Sequence, residues 1–149
     1  MPAMFSAYTL TRRALFHETD MAGVVHFSCF FRYMEEAEHA LWREAGLSIA
    51  RRGSEIGWPR VAASFEFLKP LYFDDEFQAR VRITAITNRT IRYGCELTRS
   101  GETIASGTMT IACVIHRPNE PMRSVAIPPD IVERLQVDAA QPVPVRETT

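Results

Sequence analysis

The clearest pattern in the chain is an apolar stripe with helical spacing that starts after residue 26. Apolar side chains recur every three or four positions, and charged residues fall mostly between them. The stripe consists of Phe27, Phe30, Phe31, Met34, Ala37, Leu41 and Ala45. This period predicts an amphipathic helix from Ser28, as its N-cap, to Ala45, with Gly46 as its stop. At about 1.5 Å per residue the helix would be about 27 Å long, enough to cross a sheet.

Most of the remaining chain alternates between apolar and polar positions, as strands with one solvated face do. The predicted strands are 8–15, 61–68, 77–84, 91–98 and 103–116. The last of them is apolar on both sides, which favours a central position. Lys69-Pro70 indicates a break, a bulge or an edge, because proline cannot donate to a central sheet ladder. Ser100-Gly101 predicts a hairpin turn.

Together these elements predict one α+β domain over residues 1–137, with an antiparallel sheet of about five strands around one long helix. The four later strands are expected in meander order, followed by a short helix at 128–135. Residues 138–149 are expected to be a flexible tail. A sheet of this kind exposes an edge and an apolar flank, so we expect a dimer or a larger homo-oligomer.

Composition narrows the setting of the protein. The 149 residues suffice for one well-packed core. The three cysteines, Cys29, Cys95 and Cys113, match neither a disulfide framework nor a zinc site, which favours the reducing cytoplasm. A net charge of −1 gives no basic face for nucleic acid. Because the chain has no signal-like start and no run of about 18 apolar residues, we expect a soluble, unprocessed protein without a membrane partner.

Two motifs in this chain resemble the hotdog-fold thioesterases of the 4-hydroxybenzoyl-CoA thioesterase type. One is an Asp-x-x-Gly-Val-Val turn, within Thr19–Val25, that runs directly into the helix. The other is the stretch FLKPLYFDD at 67–75. The resemblance covers about residues 7 to 117. It implies a hotdog fold, hydrolysis of acyl-CoA or aryl-CoA thioesters, active sites between subunits, and a homotetramer made of two dimers.

The turn and the start of the helix contain the chemistry that this resemblance implies. Thioester hydrolysis needs a nucleophile or an activated water, together with donors for the developing oxyanion. Asp20 would be the nucleophile or the general base. Main-chain N–H groups around Phe27 and Ser28, at the start of the helix, would polarise the carbonyl. The resemblance assigns the polarising amide to Phe27, seven residues after Asp20.

The other candidate site residues lie in the loop before the helix and on the later strands. Gly23, Val24 and His26 would form the active-site loop. Many relatives carry tyrosine and then histidine at the positions of His26 and Phe27, whereas this chain has histidine one place earlier, so a catalytic role for His26 stays open.

Coenzyme A would bring phosphates, for which arginine is suited. The candidates are Arg89, Arg92 and Arg117, although an arginine at such positions is more often an ordinary exposed charge. No metal is expected, since Glu36-x-x-His39 has no second copy to complete a metal site. No cofactor is expected either, because coenzyme A would be part of the substrate.

Two further functions remain open at this point. A hydratase or dehydratase acting on acyl thioesters would need an acid–base pair, for which Asp20 and His26 are the candidates. A non-catalytic acyl-CoA-binding module would bind without releasing thiol. Kinase, dehydrogenase and serine-hydrolase functions lose their main support, because the P-loop, the dinucleotide glycine fingerprint and the Gly-x-Ser-x-Gly elbow are missing. The acyl group, and the choice between coenzyme A and a carrier protein, are not determined by the sequence.

Overall fold

The computed structural model describes residues 4–139 and contains a five-stranded antiparallel sheet packed on one long helix. The long helix is α1 (Phe27–Glu44), and a short helix, α2 (Pro129–Val132), lies near the end. The strands are β1 (Ala7–Arg13), β2 (Ile56–Gly57), β3 (Arg60–Phe67), β4 (Glu76–Ile86), β5 (Thr90–Arg99), β6 (Glu102–Ala112), β7 (Val114–Ile115) and β8 (Arg123–Ser124). The main sheet has the order β1-β4-β5-β6-β3, and a small sheet has the order β2-β7-β8. The predicted α+β architecture is confirmed.

Helix α1 buries the face that the periodicity predicted, except at its first turn, where the first residue of the predicted stripe is exposed. Phe30, Met34, Ala37 and Leu41 are buried, whereas Phe27 is 60% exposed. The predicted N-cap, Ser28, is wrong, because the helix begins at Phe27 and its N-cap is His26. The imidazole of His26 accepts a hydrogen bond from the Ser28 N–H, which is the role of an N-cap side chain. Gly46 follows the helix with φ +76°, as the predicted stop requires.

The meander prediction is right for three strands and wrong for β3. Strands β4, β5 and β6 are neighbours, but β3 lies beyond β6 at the outer edge, and β4 pairs with β1 on its other side. The segment after β3 explains this order. Its first two amides, those of Leu68 and Lys69, donate to the carbonyl of Ile104, so the chain remains on β6. It then reaches β1, where Asp74 N–H donates to the Ala14 carbonyl before β4 begins.

Two elements near the C-terminus are shorter than predicted. β6 is central, as expected, but the predicted strand 103–116 is interrupted at Cys113, which bonds through its main chain to Arg89 and Val125. The next two residues join the small sheet as β7. The predicted helix 128–135 is reduced to α2, because Leu135 forms a bridge with Phe5 instead. The predicted tail lies outside the described residues from position 140 onward.

β3 is an edge strand with an unusual amount of exposed surface. One side pairs with β6, and the other side has no strand partner among residues 4–139. Its exposed residues include Val61 and Phe67, at 58% and 48% exposure. The edge predicted from Lys69-Pro70 is therefore confirmed. Within the described residues, no helix is long and apolar enough to cross a membrane.

A charged residue on α1 is buried where the pattern predicted a solvated face. Glu38 is 0% exposed, and its carboxylate accepts hydrogen bonds from Arg60 at 2.6 and 3.2 Å. Burial raises the pKa of Glu38 even though Arg60 acts in the opposite direction. This pair ties the middle of α1 to the start of β3, a contact between positions distant in the sequence that local periodicity does not contain.

Candidate active site

Asp20 begins a tight turn inside a hairpin that leads directly into α1. We call residues 18–26 the Asp20 hairpin. The Asp20 N–H donates to the Val24 carbonyl at 2.8 Å, and the Gly23 N–H donates to the Asp20 carbonyl at 3.0 Å. Gly23 has φ +82°, and no atom lies within 4 Å of the place where a Cβ would stand. The left-handed backbone of this turn, not crowding, therefore requires glycine.

The Asp20 carboxylate is exposed, and only one of its two oxygens accepts a hydrogen bond within the described residues. Its Oδ1 accepts a hydrogen bond from the Ala22 N–H at 2.8 Å, which fixes the side chain against the turn. Its Oδ2 accepts none from the residues that the structure describes. The arrangement leaves one oriented carboxylate oxygen available to a substrate or a water molecule.

The first turn of α1 presents a free main-chain donor. The Ser28 N–H is taken by His26 Nδ1 at 3.2 Å, and the same ring nitrogen lies 2.7 Å from Ser28 Oγ. The Phe27 N–H, by contrast, donates to no acceptor within residues 4–139. The His26 ring also stacks on the Phe27 ring, with centroids 4.6 Å apart. Of the two amides singled out in the sequence, that of Phe27 is therefore available, and it lies at the positive end of the helix dipole.

The second motif, at 67–75, packs directly against the Asp20 hairpin. Val24 forms a bridge with Tyr72, and the Val25 N–H donates to the Leu71 carbonyl at 2.7 Å. Asp75 stabilises this segment, because its carboxylate accepts hydrogen bonds from the Tyr72 N–H at 2.9 Å and from Arg99 at 2.7 Å. The two motifs that carry the family resemblance are thus parts of one structure.

Large exposed aromatic side chains surround this region. They are Phe16, Phe27, Tyr72 and Phe73, with exposures of 75%, 60%, 49% and 53%. Phe16 and Phe73 pack edge to face, with centroids 5.7 Å apart. Exposed aromatic clusters of this kind commonly mark a binding or association surface.

A partly buried charged network that was not predicted from the sequence lies beneath the hairpin. The Glu18 carboxylate accepts hydrogen bonds from Arg12 Nη1 at 2.7 Å and from the Leu15 N–H at 2.8 Å. Arg12 also pairs with Glu36 at 2.8 Å, and its guanidinium lies 4.6 Å from the Tyr33 ring centroid. Burial alone would raise the pKa of Glu18, but the bonds from Arg12 and Leu15 outweigh it and lower the pKa below 4.5.

One signal in the sequence could have revealed this network. Arg12 occupies the same face of β1 as Tyr8 and Leu10, so it stands at an inward position of an alternating strand. A charged residue at such a position requires a buried counter-charge. Nothing local marks Glu18 as that counter-charge.

The three arginines proposed for coenzyme A lie apart from Asp20 within one chain. Arg89 follows the far end of β4, whose 11 residues span about 33 Å, and it donates to the Ser124 carbonyl. Arg92 is exposed on β5, and Arg117 pairs with Glu55 at 3.0 Å. The residue directly before β4, Asp75, in contrast accepts a hydrogen bond from the Ala14 N–H, close to the hairpin. The role of these arginines stays a prediction.

Comparison with known proteins identifies the family of the chain. Residues 14–135 match the model of the thioesterase-like superfamily. The chain is 29% identical, over 126 residues, to a protein of Aquifex aeolicus that carries a provisional esterase name; the match covers 84% of this chain and 94% of that protein. It is 27% identical, over 111 residues, to a 1,4-dihydroxy-2-naphthoyl-CoA hydrolase of Synechococcus elongatus, with coverage of 72% and 81%.

Solved structures share the fold. A gentisyl-coenzyme A thioesterase superimposes with a TM-score of 0.75 at 26% identity, covering 83% of this chain and 98% of its own. A 4-hydroxybenzoyl CoA thioesterase mutant complexed with 4-hydroxybenzoyl CoA superimposes with a TM-score of 0.76 at 19% identity, covering 86% and 97%. The hotdog fold and the thioester hydrolase class predicted from the sequence are confirmed. The chain belongs to the thioesterase-like superfamily.

Proposed function

We propose that this protein hydrolyses a thioester of coenzyme A to the free acid and coenzyme A, with Asp20 as the reacting carboxylate. The observation that carries the proposal is that one short segment contains both a carboxylate with one oxygen left without a hydrogen bond, that of Asp20, and the free N–H of Phe27. A thioester carbonyl needs these two groups, one to attack it or activate water and one to stabilise the oxyanion.

The reaction follows from these two groups. The Phe27 N–H, aided by the helix dipole, donates to the thioester oxygen as negative charge develops there; an oxyanion donor of this kind contributes about 3 to 4 kcal/mol. Asp20 attacks the carbonyl carbon and expels the thiolate, leaving a mixed anhydride that water hydrolyses, or it takes a proton from an attacking water. His26 caps the helix and so keeps the Phe27 amide at the helix start.

We propose an aromatic acyl group as the preferred substrate. The named relatives act on 1,4-dihydroxy-2-naphthoyl and gentisyl thioesters, and the 4-hydroxybenzoyl thioester occupies a structure of the same fold. The exposed aromatic side chains around Asp20 supply flat apolar surface for such a ring.

We propose that the active form is a homodimer in the cytoplasm, and that two dimers form a tetramer. The unpaired edge of β3 and its exposed apolar residues support the dimer, because a second copy could continue the sheet there. A second subunit would also bring arginines such as Arg89 toward a coenzyme A whose thioester lies at the first subunit's Asp20.

A thiol-release screen tests the proposed function. The panel should contain 4-hydroxybenzoyl-, benzoyl-, acetyl-, palmitoyl- and crotonyl-CoA, and we expect thiol release to be fastest with the hydroxyaryl thioester. Loss of crotonyl absorbance without free thiol would instead indicate a hydratase. Binding of the thioesters without any thiol release would indicate a binding module and would refute hydrolysis.

A further inference from the structure

We propose that Glu18 is a positioning residue that holds the Asp20 hairpin in place against the start of α1. Its effect on turnover rests on the proposed function, whereas its effect on the hairpin does not. The argument uses both parts of Glu18, its side chain and its main chain.

The side chain of Glu18 joins the hairpin to β1. The carboxylate accepts from Arg12 at 2.7 Å and from the Leu15 N–H at 2.8 Å, and only 8% of the side chain is exposed. Hydrogen bonds from a cationic donor to a buried carboxylate are among the stronger ones in proteins. The residue two positions before Asp20 is therefore fixed on a rigid strand.

The main chain of Glu18 closes the other end of the hairpin. Its carbonyl accepts a hydrogen bond from the His26 N–H at 2.8 Å and a weaker one from the Cys29 thiol at 3.6 Å. His26 directly precedes Phe27. By holding the His26 N–H, Glu18 therefore also positions the free Phe27 amide. Glu18 thereby holds both ends of the segment that joins the two groups of the proposed reaction.

The network extends from Glu18 to the body of α1. Arg12 pairs with Glu36 at 2.8 Å while it binds Glu18, and it lies over the Tyr33 ring. Tyr33 is fully buried, and burial together with the neighbouring Glu18 raises the pKa of its hydroxyl. Buried ion pairs add little net stability, and in some proteins they favour one arrangement over its alternatives, which is the role we infer for this network. A fixed arrangement is what a reaction sensitive to small displacements requires.

Glu18→Gln tests this role, with Glu38→Gln as the matched control. Both variants remove the charge of a buried glutamate that binds an arginine, but the Glu38–Arg60 pair lies in the middle of α1. Amide hydrogen exchange needs no substrate. We expect the exchange of the Asp20 and His26 amides to accelerate about tenfold in Glu18→Gln and to stay unchanged in Glu38→Gln.

Steady-state kinetics supply the second readout. At a temperature well below both melting points, we expect kcat to fall about 10- to 100-fold in Glu18→Gln, with KM changed less than about threefold. Glu38→Gln should retain kcat. If Glu18→Gln does not fold, Arg12→Lys keeps the positive charge but loses the planar group that bridges Glu18 and Glu36, and it should show the same local exchange with a smaller loss of kcat.

The outcomes separate the two proposals. Unchanged hairpin exchange in Glu18→Gln would overturn the positioning role, and so would equal losses of kcat in Glu18→Gln and Glu38→Gln. If the wild-type protein releases no thiol from any thioester, the proposed function fails, while the exchange experiment still decides whether Glu18 holds the hairpin.

Discussion

The two ends of α1 differ in how completely their main-chain groups are satisfied. At the C-terminal end, Arg134 donates to the Ala45 carbonyl at 3.2 Å, and the amides of Gly46 and Leu47 donate back into the last turn. At the N-terminal end, the Phe27 N–H has no acceptor in the described part of the chain. A helix has orphan groups at both ends, and the donor left free on the segment that carries Asp20 is the feature on which the proposed site rests.

At the C-terminal end of α1, a cleft of about 490 Å³ is lined by residues that include Leu47, Trp58 and Arg134. The Asp20 end is open and flanked by exposed aromatic side chains. The proposed site therefore lies away from this cleft, as expected if another subunit supplies the second wall of the site.

Of the substitutions that test the difference between the two ends of α1, Phe27→Pro should have the largest effect on kcat. Proline removes the N–H, yet it is favoured at the first position of a helix, and His26 already has the extended backbone that precedes proline (φ −63°, ψ 139°). We expect kcat to fall about 100- to 1,000-fold with little change in melting temperature, measured by thiol release and thermal unfolding.

Phe27→Ala is the control for this substitution, since it removes the ring but keeps the N–H. It should retain most of kcat. If Phe27→Pro were as active as Phe27→Ala, the free amide would have no part in the reaction.

The same substitution at two glycines should separate stability from activity. Gly46→Ala forces a left-handed residue and places a Cβ 2.7 Å from Arg134 Nη1, so we expect a loss of about 1 to 2 kcal/mol in the free energy of unfolding with kcat unchanged. Gly23→Ala meets no neighbour but distorts the turn at Asp20, so kcat should fall. Chemical denaturation and thiol release measure the two effects. Equal kcat in both variants would contradict the contrast between the two ends.

The smallest expected effect is on acid stability. The pKa of Glu18 is lowered in the folded state, so its ionised form stabilises the fold; that contribution is present above pH 4.5 and is lost as the pH falls through the folded pKa. Unfolding free energies between pH 6 and pH 3 should therefore decrease less steeply in Glu18→Gln than in the wild type. Glu38→Gln should instead decrease more steeply than the wild type, because burial raises the pKa of Glu38, so that its protonation offsets part of the wild-type loss of stability as the pH falls.

The parts of the fold that depend on neighbouring residues, such as the long helix and the turn at Asp20, were predicted from patterns in the sequence. The helix period located α1, and the Asp-x-x-Gly turn located Asp20 and Gly23. The prediction of Ser28 as the N-cap was wrong because His26, one position before the helix, supplies an equivalent acceptor. Serine is the commoner cap, and only the structure distinguishes the two.

Contacts between distant segments were not predictable in this way. β3 lies at the outer edge because the segment after it bonds to Ile104 and then to Ala14. Glu18 and Glu38 are buried with counter-charges that come from strands, Arg12 from β1 and Arg60 from β3. Each of these features depends on a partner from a distant segment, which the two-residue period of a strand and the 3.6-residue period of a helix do not indicate.

The central claim, that Asp20 reacts with the thioester, is tested most directly by Asp20→Asn. Asparagine can still accept the Ala22 N–H bond that holds the turn, but it has no ionised oxygen to attack the carbonyl or to activate water. We predict that kcat for 4-hydroxybenzoyl-CoA falls by at least about 100-fold, while the thioester still binds and the melting temperature is retained. Wild-type turnover by Asp20→Asn would contradict the account.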